Sequence, residues 1–222
     1  MRQFMENYME GQRLTQPRIK EILDQDIPRF EETTQYLERY VKKSSKILDI
    51  SRASGWESTY GAYLKSIGYN VDYFGNDDVR FKFNIPDNSY EAVLVLELFE
   101  HLNPLSNRND YNDLMKDARI FLKECKRILR PQGYLLLTTP NITDYAHIRA
   151  LIEGKEPYYL YHFREFSPNT ISYELHQTGF NVIQVDTIVN KSDPQVESMI
   201  KQLGGRNQQR GKHILAIAIK EK

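Results

Sequence analysis

The sequence predicts an α/β fold on a mostly parallel sheet, and three observations predict it. Short apolar runs alternate with helical stripes along most of the chain, the pattern of strands joined by crossover helices. Residues 90–96 and 134–138 are almost continuously apolar, as strands buried on both faces must be. Residues 46–67 pass from a short apolar run, through small residues, into a helical stretch. A parallel sheet uses such a passage to present backbone N–H groups to a ligand.

Composition narrows the class. With 222 residues, 40% of them hydrophobic, the chain can bury one substantial core. Its 30 basic and 30 acidic residues balance to zero formal charge, so no general field draws it to nucleic acid or an anionic membrane. The single cysteine, Cys125, excludes an intrachain disulfide and a cysteine metal cluster, and its place on the apolar side of a helical stretch predicts a buried thiol. No run approaches the ~18 apolar residues of a membrane span, and no signal peptide is visible, so a soluble cytoplasmic protein is expected.

Taken in order, residues 1–15 show no clean period. Gln16–Pro17 fits a helix start, and Pro28 reads as the opening of a second helix striped by Phe30, Thr34, Leu37 and Val41. Residues 1–45 are expected to form a helical cap, and residues 46–222 the main domain. Residues 46–50 form the first strand. Ser51, Ala53 and Gly55 follow at alternate positions, small enough for a ligand to approach the backbone. A helix striped by Tyr60, Leu64 and Ile67 ends at Gly68. Residues 70–74 are a second strand. Residues 75–78 and 86–89 are turns, and residues 79–85 are at most a short strand, which leaves no room for a full βα unit.

The third long strand, residues 90–96, runs into Glu97-Leu98-Phe99-Glu100-His101-Leu102. A helix over residues 111–130, a turn at Pro131-Gln132-Gly133 and a strand over residues 134–138 follow. Residues 143–153 read as a helix, and residues 154–166 as an aromatic loop carrying Tyr158, Tyr159, Tyr161 and His162. Ser167–Pro168 caps the next helix. A strand at residues 180–189, a helix at 194–203 and a strand at 213–220 close the chain.

These landmarks, in this order, resemble the S-adenosylmethionine-dependent methyltransferases of the Rossmann-like class. The resemblance runs from Ile47 to the C-terminus. It rests on Ile47-Leu48-Asp49-Ile50 with Gly55, on Ile85-Pro86-Asp87-Asn88-Ser89-Tyr90, and on Glu97-Leu98-Phe99-Glu100-His101-Leu102. Arg127-Ile128-Leu129-Arg130-Pro131-Gln132-Gly133, Thr138-Thr139-Pro140-Asn141 and His162-Phe163-Arg164-Glu165-Phe166-Ser167-Pro168 complete it. The resemblance implies a seven-stranded sheet whose last strand is antiparallel, with S-adenosylmethionine across the C-terminal ends of the first strands. Asp49, Ser51, Ala53 and Gly55 would hold its methionine part. Glu97 is a further cofactor candidate at the end of its strand. Ser51 and Ala53 stand where the family has glycines, and Gly75 where it has a ribose-binding acid. Asp77 and Asp78 are the nearest acids for the adenosine side.

For chemistry, a positioned base suffices once the methyl donor is activated. The catalytic candidates are His101, His162 and Glu100, the two histidines facing the acceptor end of one cleft. If Glu97 opens a helical turn, Glu100 and His101 share its face at i+3 and i+4. Glu97, Glu100, His101 and His162 then form a possible divalent-metal set. That set resembles metal-dependent methyltransferases of the 2′-hydroxyl of small RNAs, whose second adjacent histidine is here Leu102. The alternative is that these acids are solvated and His101 only holds backbone. His147, His176 and His213 lie in regular elements and read as structural. The Thr138-Thr139-Pro140-Asn141 and His162-to-Ser167 pair also resembles surface-polysaccharide methyltransferases. The expected acceptor is therefore a small hydroxyl-bearing molecule such as a sugar. A methyltransferase-like binding or scaffold protein without turnover is the competing function.

Overall fold

The computed structural model describes residues 1–11, 15–51, 57–74, 78–102, 111–156 and 162–221. Two helices, α1 (Arg2–Gly11) and α2 (Gln16–Tyr40), precede β1 (Lys46–Asp49), α3 (Glu57–Ser66) and β2 (Asn70–Tyr73). Then come β3 (Tyr90–Leu96), a single 3₁₀ turn at Phe99–His101, α4 (Tyr111–Ile128) and β4 (Leu129–Pro140). The chain ends with α5 (Tyr145–Ile152), α6 (Pro168–Gln177), β5 (Asn181–Ile188), α7 (Pro194–Gln202) and β6 (His213–Ile219).

The strands form one sheet in the order β2-β1-β3-β4-β6-β5. β1, β2, β3 and β4 pair in parallel, and β6 runs antiparallel between β4 and β5. Alternation along each strand separates two cores. Leu48, Val93, Val95, Leu135, Leu137 and Ala216 meet Phe121, Leu122 and Cys125 of α4 and Ile171 and Leu175 of α6. Ile47, Ala92, Leu94, Leu136, Leu215 and Ile217 meet the helices before and after β1, through Met5, Met9, Leu23, Phe30, Leu37, Tyr60 and Leu64.

The structure departs from expectation at four places. Residues 2–11 form a helix, because Met5 and Met9, one turn apart, are buried against the sheet's helical layer. Pro28 lies inside α2 and opens nothing; burial of Ile19, Ile22, Leu23, Ile27, Phe30 and Leu37 on one face outweighs the single lost backbone bond. Pro131-Gln132-Gly133 bulges within β4 and does not precede it. Gln132 takes φ 65° and donates to the carbonyl of Lys220 at 2.8 Å.

The fourth departure is the sheet's width. It has six strands among the described residues, one fewer than the seven implied, because the stretch between β2 and β3 adds none. Residues 78–84 form neither helix nor strand, as the shortened crossover predicts; residues 75–77 lie outside the described residues. Phe83 supplies the packing that a crossover helix would otherwise give. It is buried, 4.7 Å from the Phe74 ring and 6.0 Å from Phe121. Arg127 of α4 straps this segment by donating to the carbonyls of Ile85 at 2.7 Å and Phe83 at 3.0 Å. Glu124 holds Arg127 and also accepts from the Phe83 N–H at 2.9 Å.

Candidate functional site

Among the described residues, Asp49, Glu97, Glu100 and His101 lie at or just past the C-terminal ends of parallel strands, where an open sheet takes its ligands. At the end of β1, Asp49 organises the turn that follows. Its Oδ1 accepts from the Ser51 backbone N–H at 2.9 Å and from the Ser51 hydroxyl. Its Oδ2 is buried with no hydrogen-bond partner among the described residues. Burial pushes the Asp49 carboxyl up to about 7, against the two Ser51 donors that favour its charge. Gly61 of α3 permits this packing. A Cβ there would come within 2.7 Å of Asp49 Oδ2 and 2.5 Å of the Tyr73 ring.

Ala53, Gly55 and Asp77 lie outside the described residues. Asp78 is on the surface, where Arg80 forks onto it at 2.9 Å and 3.1 Å and draws its carboxyl below the usual range.

Glu97 ends β3 with φ 50°, and its N–H donates to the Thr138 carbonyl at 2.9 Å. The left-handed conformation turns it away from the following 3₁₀ turn, so Glu97 does not share a helical face with Glu100 and His101. It meets His213 Nδ1 at 2.9 Å and Arg29 at 3.8 Å. Arg29 reaches over from α2, held by Asp26 at 2.9 Å. Burial alone would raise the Glu97 carboxyl, but His213 and Arg29 outweigh it and bring it to about 2.

Glu100 is 1% exposed. Its Oε2 accepts from the Thr139 hydroxyl at 2.9 Å. Its Oε1 has no hydrogen-bond partner among the described residues and lies 3.8 Å from His101 Nε2. Burial first, then the nearby Glu97 charge, push the Glu100 carboxyl well above the usual range. The Glu100 carbonyl accepts from the N–H groups of Phe163 at 2.9 Å and Arg164 at 3.3 Å. Those bonds lay the His162 loop beside the 3₁₀ turn, and Phe99 against Phe166, 4.9 Å apart, fixes the same approach. The His101 and His162 rings end 5.0 Å apart, edge to face. One ligand atom each from Glu100, His101 and His162 lies within 4.8 Å of the others. The paired histidines and Glu100 are thus brought together, and Glu97 goes elsewhere.

Behind His162 stands a string of charges that was not singled out as a unit from the sequence. His162 Nδ1 is 2.7 Å from Glu165 Oε1. The other Glu165 oxygen meets His147 Nε2. His147 Nδ1 is 2.7 Å from Asp144 Oδ1, and Asp144 also caps α5 by accepting from the His147 N–H. Burial would lower the His147 imidazole, but Asp144 and Glu165 raise it to about 9. Burial would raise the Glu165 carboxyl, but His147 and His162 bring it to about 2. The only local signals were the spacings Asp144-x-x-His147 and His162-x-x-Glu165. The pairing of Glu97 with His213 and with Arg29 spans separations no local pattern shows.

A profile of the methyltransferase domain family matches residues 22–185, most of the chain. The chain belongs to this family. Over 99 residues the methyltransferase domain is 29% identical to a protein of Mycolicibacterium smegmatis described as a probable S-adenosylmethionine-dependent methyltransferase. That match takes in 44% of this chain and 31% of the relative, so the chain spans about a third of that relative's length. A S-adenosylmethionine-dependent methyltransferase from Archaeoglobus fulgidus shares the fold at TM-score 0.55 and 20% identity, over 89% of this chain and 98% of that one. The [4+2]-cyclase SpnF shares it at TM-score 0.54 and 13% identity, over 86% and 80%. The fold alone therefore does not name the reaction.

Two of the relatives above are described as S-adenosylmethionine-dependent, and the strand-end rim of this methyltransferase domain fits that cofactor. The buried, unpartnered Asp49 oxygen is an acceptor awaiting donors such as a ribose hydroxyl or an ammonium. Among the described residues no helix is long and apolar enough to cross a membrane.

Proposed function

We propose that this methyltransferase domain methylates the hydroxyl of a small acceptor, such as a sugar unit, bound beside His101 and His162. The observation that carries this reading is the pair of imidazoles 5.0 Å apart beside buried Glu100, at the ends of β3 and β4. Bound S-adenosylmethionine supplies an activated methyl group and leaves as a neutral thioether. Asp49 and Ser51, with Ala53 and Gly55, would hold its methionine part. Asp77 and Asp78 would serve the adenosine side, Asp78 on leaving Arg80. Glu97, with its carboxylate occupied by His213 and Arg29, would shape the strand end against which the cofactor lies. His101 or His162, as a neutral imidazole, takes the proton that the acceptor hydroxyl loses when its oxygen gains the methyl. The protein's zero formal charge supports a small acceptor over a nucleic acid.

One observation favours a second reading. Glu100 Oε1 is buried without a hydrogen-bond partner among the described residues, as a metal-ligand oxygen would be before its ion binds. Glu100, His101 and His162 would then hold a divalent cation that lowers the pKa of the acceptor hydroxyl.

Calorimetry with S-adenosylmethionine and S-adenosylhomocysteine comes first; absence of binding at millimolar ligand supports the scaffold alternative. With a panel of sugars and nucleotide sugars, formation of S-adenosylhomocysteine reads turnover. His101→Ala or His162→Ala is expected to cut it by about 10²–10⁴-fold while sparing cofactor affinity. Loss on chelation and recovery with manganese or magnesium would establish the metal reading. Full activity in both variants and after chelation would remove both.

A further inference from the structure

We infer that Glu165, held by His147, is a positioning residue that fixes His162 as its Nδ1–H tautomer and leaves Nε2 as the ring's acceptor nitrogen. The inference rests on His162 acting at the acceptor, as proposed above, but its central observable does not depend on turnover.

The argument is one of hydrogen-bond inventory. Glu165 is 5% exposed and lies between two imidazoles, with Oε1 2.7 Å from His162 Nδ1 and Oε2 against His147 Nε2. An ionised carboxylate only accepts. Both ring nitrogens facing it must therefore carry protons. His147 Nδ1 in turn faces the Asp144 carboxylate at 2.7 Å, so this nitrogen also donates. His147 is then an imidazolium between two acids; Glu165 Oε1 is hydrogen-bonded to His162, and Oε2 faces His147 as an ion pair without an aligned hydrogen bond. A Glu165 carboxylate without His147 would be a buried charge with a single donor, free to swing. With His147 it is clamped, and His162 has one tautomer available to it. The string adds a side-chain link between the N-terminal cap of α5 and the loop that carries His162, whose backbones already meet at Asn141 and Phe166.

Such a string is a costly way to hold a loop. Burying ionised groups costs several kcal/mol each before pairing, and apolar residues of the same size are often as stabilising. What it adds is a fixed ring orientation and tautomer, the effect that carboxylates have on ligating and catalytic histidines.

The test is ¹⁵N NMR of protein labelled at its five histidines, with His162 assigned through His162→Gln. In the wild type the His162 Nδ1 signal is expected in the protonated range and Nε2 in the unprotonated range. Glu165→Gln is expected to return the ring to a tautomer mixture, and His147→Gln to do so partially. Where an acceptor turns over, Glu165→Gln should lower kcat about 10–100-fold with cofactor affinity unchanged. A wild-type His162 protonated at Nε2, or a tautomer that survives both substitutions, overturns the inference. If the tautomer behaves as expected but His162→Ala keeps full turnover, the positioning stands and the catalytic reading falls. Should Glu165→Gln fail to fold, the wild-type and His147→Gln spectra still decide.

Discussion

The rim of strand ends has two halves, one whose buried acid lacks a cationic partner among the described residues and one where Glu97 and Glu165 are paired with cations, Glu100 being the exception. On the β1–β2 side, Asp49 is buried with one oxygen satisfied by Ser51 and the other by nothing among the described residues, and its carboxyl is pushed up to about 7. On the β3–β4–β6 side, half-buried Glu97 and buried Glu165 are held at about 2, Glu97 by His213 and Arg29 and Glu165 by His147 and His162. Glu97 and Glu165 have their counter-charges in place before any ligand arrives, whereas Asp49, and Glu100 on the second side, have no cation hydrogen-bonded to them among the described residues and are pushed up by burial. The difference suits the two tasks. Under the proposed function, a cofactor would bring its own donors to Asp49, whereas groups that handle an acceptor's proton need to be in register beforehand.

The largest expected effect breaks the half with paired acids. Glu97→Leu leaves Arg29 and His213 buried beside a neutral side chain. Removing one partner of a buried pair costs about 3–5 kcal/mol, read as a fall in the urea midpoint. Unchanged stability would mean that the Arg29–Glu97–His213 cluster is solvated in solution.

A middling effect is expected in the Asp49 half. Gly61→Ala puts a Cβ against Asp49 Oδ2 and the Tyr73 ring. Overpacking of this kind costs about 1–3 kcal/mol, and the displaced Asp49 should weaken S-adenosylmethionine binding in calorimetry. Wild-type affinity in a folded Gly61→Ala protein would separate Asp49 from the cofactor.

The smallest effect sharpens the contrast through pH. The Asp49 carboxyl rises from its ordinary 3.8 to about 7 on folding. Its charge therefore opposes folding by an amount that is absent below 3.8, grows between 3.8 and 7, and is constant above. Asp49→Asn should raise stability by about 1 kcal/mol at pH 8 and leave it unchanged near pH 3, because the amide still needs partners. Glu165 has the opposite sign. Its stabilisation is complete above the ordinary 4.5 and is lost as pH falls toward 2. Guanidinium titrations of wild type, Asp49→Asn and Glu165→Gln across pH 3–8 measure both slopes. Parallel slopes for the two variants would erase the distinction between the halves.

Much of the fold was legible because its signals are local. The strands at residues 46–49, 90–96 and 213–219 are apolar runs that remain buried strands in the structure. Ser167 caps α6 by accepting from the Thr170 N–H at 3.2 Å, as its place before Pro168 predicts. The shortened crossover was visible as a count of residues too few for a helix. By contrast, α1 lay in the expected helical cap but showed no legible period, because two methionines in a polar stretch make a stripe only when a partner surface exists. The proline reading failed because the apolar face of α2 continues past Pro28 and tertiary burial decides such cases.

By itself, the sequence determined the order of strands and helices and the nearness of Glu100 and His101 to one strand end. Those follow from periodicity and from positions a few residues apart. Only the tertiary structure decided which acid meets which base. Glu97 left its neighbours for His213 and Arg29 because a left-handed backbone at one residue redirects its side chain. His147, expected to be merely structural, became the clamp on Glu165 because two loops meet at the end of β4. Hydrogen bonds between distant residues depend on register and side-chain direction, and neither has a signature in local sequence.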